Sequence, residues 1–178
     1  THIAVYGDDP YDDCQKQIKE ILSNGTLLNI RFSVENNDAK FIHVNYLNRL
    51  SVCHAAADEN LKPIHKMPDS LPLVMMFGIG LGYQLSYLYE QCRVTNIFLF
   101  EPDIDLFYAS LYCFDWANLL VYLSNEGFGL HLFLGTDEEY IMTDLLTVLH
   151  KRGAFLAAGA LPCWHYPSPE IFKLIDLV

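Results

Sequence analysis

An apolar strand that runs straight into a glycine-rich turn and then into a helix constrains this chain more than any other feature. Leu73-Val74-Met75-Met76-Phe77 leads into Gly78-Ile79-Gly80-Leu81-Gly82, and a helical pattern follows at once. The next apolar strand, Asn96-Ile97-Phe98-Leu99-Phe100, ends in Glu101. α/β domains hold nucleotide-like ligands with this layout. Glycines let the backbone approach the ligand, and a carboxylate at the tip of the second strand meets ribose hydroxyls.

The rest of the chain supports the same fold class. Strand and helix patterns alternate from residue 71 onward: a buried strand at 71–77, a helix at 83–92, a strand at 95–101 and a helix capped by Asp103. A short helix capped by Asp115 follows, then a strand from Gly129 to Leu134 and a helix from Glu138 to His150. A last strand is expected at Ala154–Ala160, and a proline-rich segment with Trp164-His165-Tyr166 leads to a closing helix. Such alternation predicts a Rossmann-like α/β fold, a mostly parallel sheet with helices on both faces.

Ahead of it a small α+β extension is expected, a helix plus a β-hairpin. Asp9-Pro10 reads as a cap and first helical position, Cys14, Ile18, Ile21 and Leu22 share a face, and Gly25 ends the helix. Leu28–Val34 alternates with period two, Asn36-Asn37-Asp38 is turn chemistry, and Lys40–Tyr46 is a second strand. A short helical pattern runs through Leu47, Leu50, Cys53, His54 and Ala57. The expected boundaries are residues 1–62 for the extension, 63–70 for a linker holding Pro63 and Pro68, and 71–178 for the Rossmann-like domain.

With 178 residues and 52% hydrophobic content the chain can bury a sizeable core. Its net charge of −11 argues against binding nucleic acid or anionic membrane through charge. No apolar run approaches the length of a membrane helix. The five cysteines are scattered and never in Cys-x-x-Cys spacing, which suits free thiols in a reducing, cytoplasmic setting. The chain opens on Thr rather than Met, and we expect it to be a piece of a longer protein.

Ligands of this fold sit beyond the carboxyl ends of the strands. Three strand ends therefore supply the candidate ligand-binding residues: Gly78, Gly80 and Gly82; Glu101 with Asp103; and Thr136 with Asp137. The bland alternative stays open. The glycines then make only a tight turn, Asp103 and Asp137 are helix caps, and Glu101-Pro102 merely ends a strand. The seven histidines (2, 43, 54, 65, 131, 150 and 165) offer no helical metal pair, so no metal is expected. Neither a Gly-x-Ser-x-Gly elbow nor a P-loop lysine is present, and no catalytic residue stands out.

Two families share this wording. The strand–Gly-x-Gly-x-Gly–helix–strand–acid order of residues 73–101 resembles class I S-adenosylmethionine methyltransferases, with Gly135-Thr136-Asp137 where that family places its adenine-side loop. The resemblance departs at Met76, where that family usually carries an acid. Phe77–Leu85, then Phe100-Glu101-Pro102-Asp103 with Phe107, looks more like the Rossmann-like amino-terminal domain of the motility-associated factor family. The likeness extends through Asp115, Leu119-Leu120, Leu132–Gly135 and Asp137-Glu138-Glu139. That resemblance implies a bacterial protein linked to flagellin glycosylation, whose sugar-transferring centre lies in a following glycosyltransferase-like domain. The signature that opens that following domain is absent here. For the piece in hand that resemblance implies an accessory or nucleotide-like-ligand-binding domain; the methyltransferase resemblance implies a methyltransferase-like domain instead, and a degenerate Rossmann fold would be a non-catalytic scaffold for protein contact. Flagellin or another protein acceptor and a nucleotide or nucleotide sugar are the partners that the motility-associated resemblance implies, and no cofactor is assigned.

Overall fold

The computed structural model describes residues 5–27, 42, 45, 46, 48–50, 52, 53, 67–157 and 159–177, with only the backbone of 154, 155 and 177. The chain divides into two compact units, Thr1–Asn29 with Met67–Val178, and Ile30–Lys66. In the second unit every described residue is helical. Residues 42, 45 and 46 are therefore not the strand that their alternation predicts. Tyr46, Leu50 and Cys53 continue one helical spacing, so the helical pattern expected from Leu47 starts earlier. The expected strand at 28–34 and the turn at 36–38 lie outside the described residues.

The first unit starts with helix α1 (Pro10–Asn24). The Asp9 carboxylate accepts from the amides of Tyr11 and Asp12, both at 3.1 Å, and Gly25 closes the helix by donating to the Ile21 carbonyl. Cys14 and Ile18 bury the inner face, each 1% exposed. The helix carrying them belongs with the α/β unit rather than with the extension where sequence order places it. An amphipathic stripe shows that a helix is covered, but not by what.

The remaining elements run in chain order β1 (Ser70–Leu71), β2 (Val74–Phe77), α2 (Tyr83–Gln91), β3 (Arg93–Val94) and β4 (Asn96–Glu101). Then come α3 (Ile104–Cys113), α4 (Trp116–Glu126), β5 (Gly129–Leu134), α5 (Glu138–Arg152), a 3-10 turn (Ala154–Ala157), β6 (Leu161–Trp164) and α6 (Pro169–Leu177). The main sheet has the order β5-β4-β2-β6, and every pairing in it is parallel. β1 and β3 pair in parallel at the same offset as β2 and β4, so they continue that ladder below a break at Pro72.

Successive strand residues point to opposite faces, and both faces are covered. Val74, Met76, Ile97, Leu99, Leu161 and Cys163 enter one core with Ile18, Leu85, Leu88, Leu119 and Leu123 from α1, α2 and α4. Met75, Phe77, Phe98 and Phe100 enter the other core, with Ile141 and Leu145 of α5 and Ile171 and Leu174 of α6. The second core holds an aromatic stack, Phe77 on Phe100 and Phe100 on Phe133, each pair with centroids 4.7 Å apart. Each buried phenyl contributes about 1.5–3 kcal/mol by leaving water. This is the Rossmann-like α/β arrangement that the strand–helix alternation predicts.

The last strand is misplaced by sequence reasoning. Ala154–Ala157 forms a 3-10 turn, and the strand is Leu161–Trp164, which contains Pro162. Proline is tolerated there because β6 is an edge strand. Leu161 and His165 donate to the Leu73 and Phe77 carbonyls of β2. Pro162 falls on the alternate positions that face outward, where no donor is needed. Gln17 of α1 caps the same edge by donating to the Trp164 carbonyl at 3.2 Å. Among the described residues no single helix is long and apolar enough to cross a membrane, although α3 and α4, bent by 88°, pass that test together.

Candidate functional site at the glycine turn

The sheet order sets where a ligand would enter. The chain fills β4 and β5 on one side of β2, then returns to place β6 on the other side. The order therefore reverses between β2 and β6, and the crevice beyond their carboxyl ends is where this fold binds dinucleotides. The turn of residues 78–82 sits at the mouth of that crevice. Its three glycines all have positive φ: 88° at Gly78, 53° at Gly80 and 88° at Gly82.

A ligand would need free amides in this turn, and each of the five is already engaged. Gly78 N–H donates to the Phe100 carbonyl at 2.7 Å and Gly82 N–H to the Ile79 carbonyl at 3.0 Å. The amides of Ile79 and Gly80 donate to Glu101 Oε2 at 2.7 and 3.1 Å. Leu81 N–H donates to Tyr6 Oη at 2.6 Å. The side-chain amide of Gln84 holds the Ile79 carbonyl from below.

Glu101 is fully buried. Besides the two turn amides it accepts from Asp103 N–H at 3.0 Å and from the Tyr166 hydroxyl at 2.5 Å, both on Oε1. Four donors thus fill the four acceptor positions of the carboxylate. None remains for a ribose. Tyr166 is held protonated, its pKa raised by burial first and then by donating to Glu101.

Tyr6 and His165 close the turn from the other side. Gln17 Nε2 donates to the His165 carbonyl at 2.7 Å, which leaves Gln17 Oε1 facing His165 Nδ1, also at 2.7 Å. Nδ1 therefore carries the proton in the neutral ring, and Nε2 is free to accept from Tyr6 Oη at 2.9 Å. Tyr6 thus accepts from Leu81 and donates to His165. Burial lowers the His165 pKa to about 4 and raises that of Tyr6, so both are neutral near pH 7. The fit around the turn is tight. A Cβ on Gly80 would lie 2.7 Å from His165 Cδ2 and inside contact distance of Tyr6 Oη, and one on Gly78 would lie 2.8 Å from Tyr166.

The structure therefore brings Gly78, Gly80, Gly82 and Glu101 together in a turn closed by its own hydrogen bonds, and Asp103 beside them donates its amide to Glu101 while lining a neighbouring cavity. Thr136 and Asp137 are exposed, and the Asp137 side chain caps α5 by accepting from Tyr140 N–H at 3.0 Å. Asp103 likewise caps α3, accepting from the amides of Asp105 and Leu106. Met76, in the slot where a methyltransferase carries an acid, is 1% exposed within the core. These residues do not fit a nucleotide-like cofactor. No group of three or more His, Cys, Asp or Glu poised for a metal occurs among the described residues. Cys14, Cys92 and Cys163 are buried free thiols, their pKa values pushed up to about 11, 11 and 12 by burial.

Comparison with known proteins now bears on this geometry. The model of the glycosyltransferase Maf N-terminal domain matches residues 1–176. The chain belongs to this family. Among solved structures, the Maf glycosyltransferase from Magnetospirillum magneticum AMB-1 superposes with a TM-score of 0.66 at 20% identity. The match covers 97% of this chain and 27% of that one, so the Maf N-terminal domain spans about a quarter of that structure. At this identity the likeness bears on fold alone. No curated protein matches significantly.

Tyr6, Gln17, Gln84, His165 and Tyr166 escaped the sequence reading although they build the Maf domain's glycine turn. Tyr6 stands in a segment with no periodic pattern. Trp164-His165-Tyr166 carried a signal only in being flanked by Pro162 and Pro167, which marks a constrained strand exit.

Proposed function

We propose that this Maf N-terminal domain is an accessory, non-catalytic platform in a protein-glycosylation factor, which positions a transferase and its protein acceptor rather than binding the donor. Flagellin is the acceptor that the motility-associated reading suggests, and the cytoplasm is the matching location. One observation carries the proposal: all five amides of residues 78–82 and all four acceptor positions of Glu101 have partners within the chain. An anion or a ribose entering the turn would have to break these bonds, each worth about 0.5–1.5 kcal/mol and more where Glu101 takes part. No observation favours the methyl-donor alternative.

The test is calorimetric titration of the protein with S-adenosylmethionine, nucleoside triphosphates and nucleotide sugars, repeated on Gly80→Ala and Tyr166→Phe. The affinity of any ligand that binds is expected to be the same in all three proteins. A tenfold loss in either variant would place a ligand in the turn and overturn the proposal.

A further inference from the structure

The two edges of the main sheet are treated in opposite ways. β6 is blunted by Pro162 and by Gln17, which donates to the Trp164 carbonyl. β5 has no such guard. Its residues, Gly-Leu-His-Leu-Phe-Leu, include no proline and no Lys, Arg, Asp or Glu. Gly129 and Gly135 donate to the carbonyls of Thr95 and Glu101, so the odd-numbered residues turn their backbone groups toward β4. Leu130, Leu132 and Leu134 therefore turn theirs outward. Among the described residues no strand pairs on that side, and the Leu132 side chain is 38% exposed. An apolar, uncharged edge of this kind is a template for a further strand, and one left bare aggregates.

The edge is complementary to itself. Antiparallel pairing about a twofold axis at Leu132 sets that residue against its own counterpart and Leu130 against Leu134, each pair exchanging N–H···O=C bonds. The three leucines share one face of the sheet, so their side chains meet across the joint. Charge on α5 selects the same orientation. The helix opens on Glu138 and Glu139 and closes on His150, Lys151 and Arg152, all exposed. It packs on β5 through Ile141, Leu145 and Phe133. Burial, and then the nearby charge of Arg152, lower the His131 pKa, which places Arg152 beside the strand. A twofold that makes β5 antiparallel to its copy does the same to α5. The acidic first turn of each helix then faces the basic last turn of the other. A parallel arrangement would set acid on acid in a chain whose net charge is already −11.

We propose that a second copy of this chain covers the edge, in a symmetric dimer whose sheet runs from β5 of one copy directly into β5 of the other. The dimer goes beyond the platform reading and does not depend on how the glycine turn is used. Backbone pairing holds the joint, the leucines exclude water from it, and the two ends of α5 fix its register.

The test is sedimentation of the purified full-length protein, joined to disulfide trapping at β5. The parent is expected to sediment as a dimer. Leu132→Lys is expected to be a monomer of unchanged circular dichroism, because two lysines would meet on the axis. Under mild oxidation Leu132→Cys is expected to gain an interchain disulfide over the parent, since paired Cα atoms lie about 5.5 Å apart. Leu130→Cys is not, because Leu130 faces Leu134 of the other copy. Lys151→Glu with Arg152→Glu is expected to weaken the dimer about tenfold, and adding Glu138→Lys with Glu139→Lys to restore it. A monomeric parent, a dimer indifferent to Leu132→Lys, equal trapping by the two cysteine variants, or a charge swap that restores nothing would overturn the proposal.

Discussion

The mouth of the crevice between β2 and β6 is closed by the chain's own side chains, whereas the same edge of the sheet is open just beyond β4. At the first place Tyr6, Glu101, His165 and Tyr166 meet around the glycine turn, and the turn residues Gly78, Gly80 and Gly82 are buried. At the second, Pro102–Asp105 and Glu170 line a cavity and Ile104 is 60% exposed. A strand–turn–helix with three glycines is thus compatible with two opposite uses. The glycines let a backbone come close to something, and in this chain that something is a carboxylate, a phenol and an imidazole from elsewhere in the same fold.

The largest expected effect comes from removing the carboxylate that ties the closed region together. Glu101→Ala leaves the amides of Ile79, Gly80 and Asp103 and the Tyr166 hydroxyl without their acceptor. A loss on the order of 3–5 kcal/mol in urea unfolding is expected. A loss below about 1 kcal/mol would mean that water already reaches the turn, and the contrast with the open cavity would collapse.

Gly80→Ala sharpens the same contrast sterically. The positive φ costs about 1–2 kcal/mol for an L residue. The collision with Tyr6 and His165 adds roughly 1–3 kcal/mol of overpacking. Gly127→Ala is the control, because Gly127 has φ 71° but nothing within 4 Å of the added carbon. Its cost is expected to be the backbone contribution alone. Equal costs at the two glycines would show that Tyr6 does not sit against the turn.

The third probe is pH. An unperturbed histidine titrates near 6.5, and burial lowers His165 to about 4. Between those values the unfolded chain binds the proton and the folded chain does not. Stability is therefore complete above pH 6.5 and declines as pH falls toward 4. Between pH 7.5 and 5 the expected loss is about 1–2 kcal/mol. His131, whose pKa burial also lowers, contributes in the same direction. Subtraction of the His165→Asn profile isolates the closing histidine, and identical slopes would break the argument.

What the sequence could and could not reveal follows from the range of the interactions. β2 and β4 were legible because fully buried parallel strands read as nearly unbroken apolar runs, β5, a partly exposed edge strand, because its residues are mostly apolar between turn signals, and α1 because its cap, stripe and terminal glycine are all local. β6 was not legible, because Pro162 argues against a strand unless the strand is known to be an edge, which only the sheet order reveals. Glu101 and the glycines were found as a group for the right geometric reason, their shared strand ends. Their partners were not found. Tyr6 and Tyr166 reach Leu81 and Glu101 across separations of 75 and 65 residues, and no pattern of period two or 3.6 encodes such a contact.

The smallest expected effect concerns Asp137, at the third strand end. Its exposed carboxylate accepts from Tyr140 N–H and starts α5. Asp137→Ala should cost about 1 kcal/mol, as loss of a helix cap does, while Asp137→Ser and Asp137→Asn should stay within a few tenths of the parent. A cap needs only a short acceptor, so those replacements are enough for it. A ligand-binding carboxylate needs its charge. If Asp137→Asn kept full stability yet weakened the binding of a nucleotide or nucleotide sugar, Asp137 would belong to an open site after all. The closed turn would then be one wall of a pocket whose other wall is the exposed end of β5.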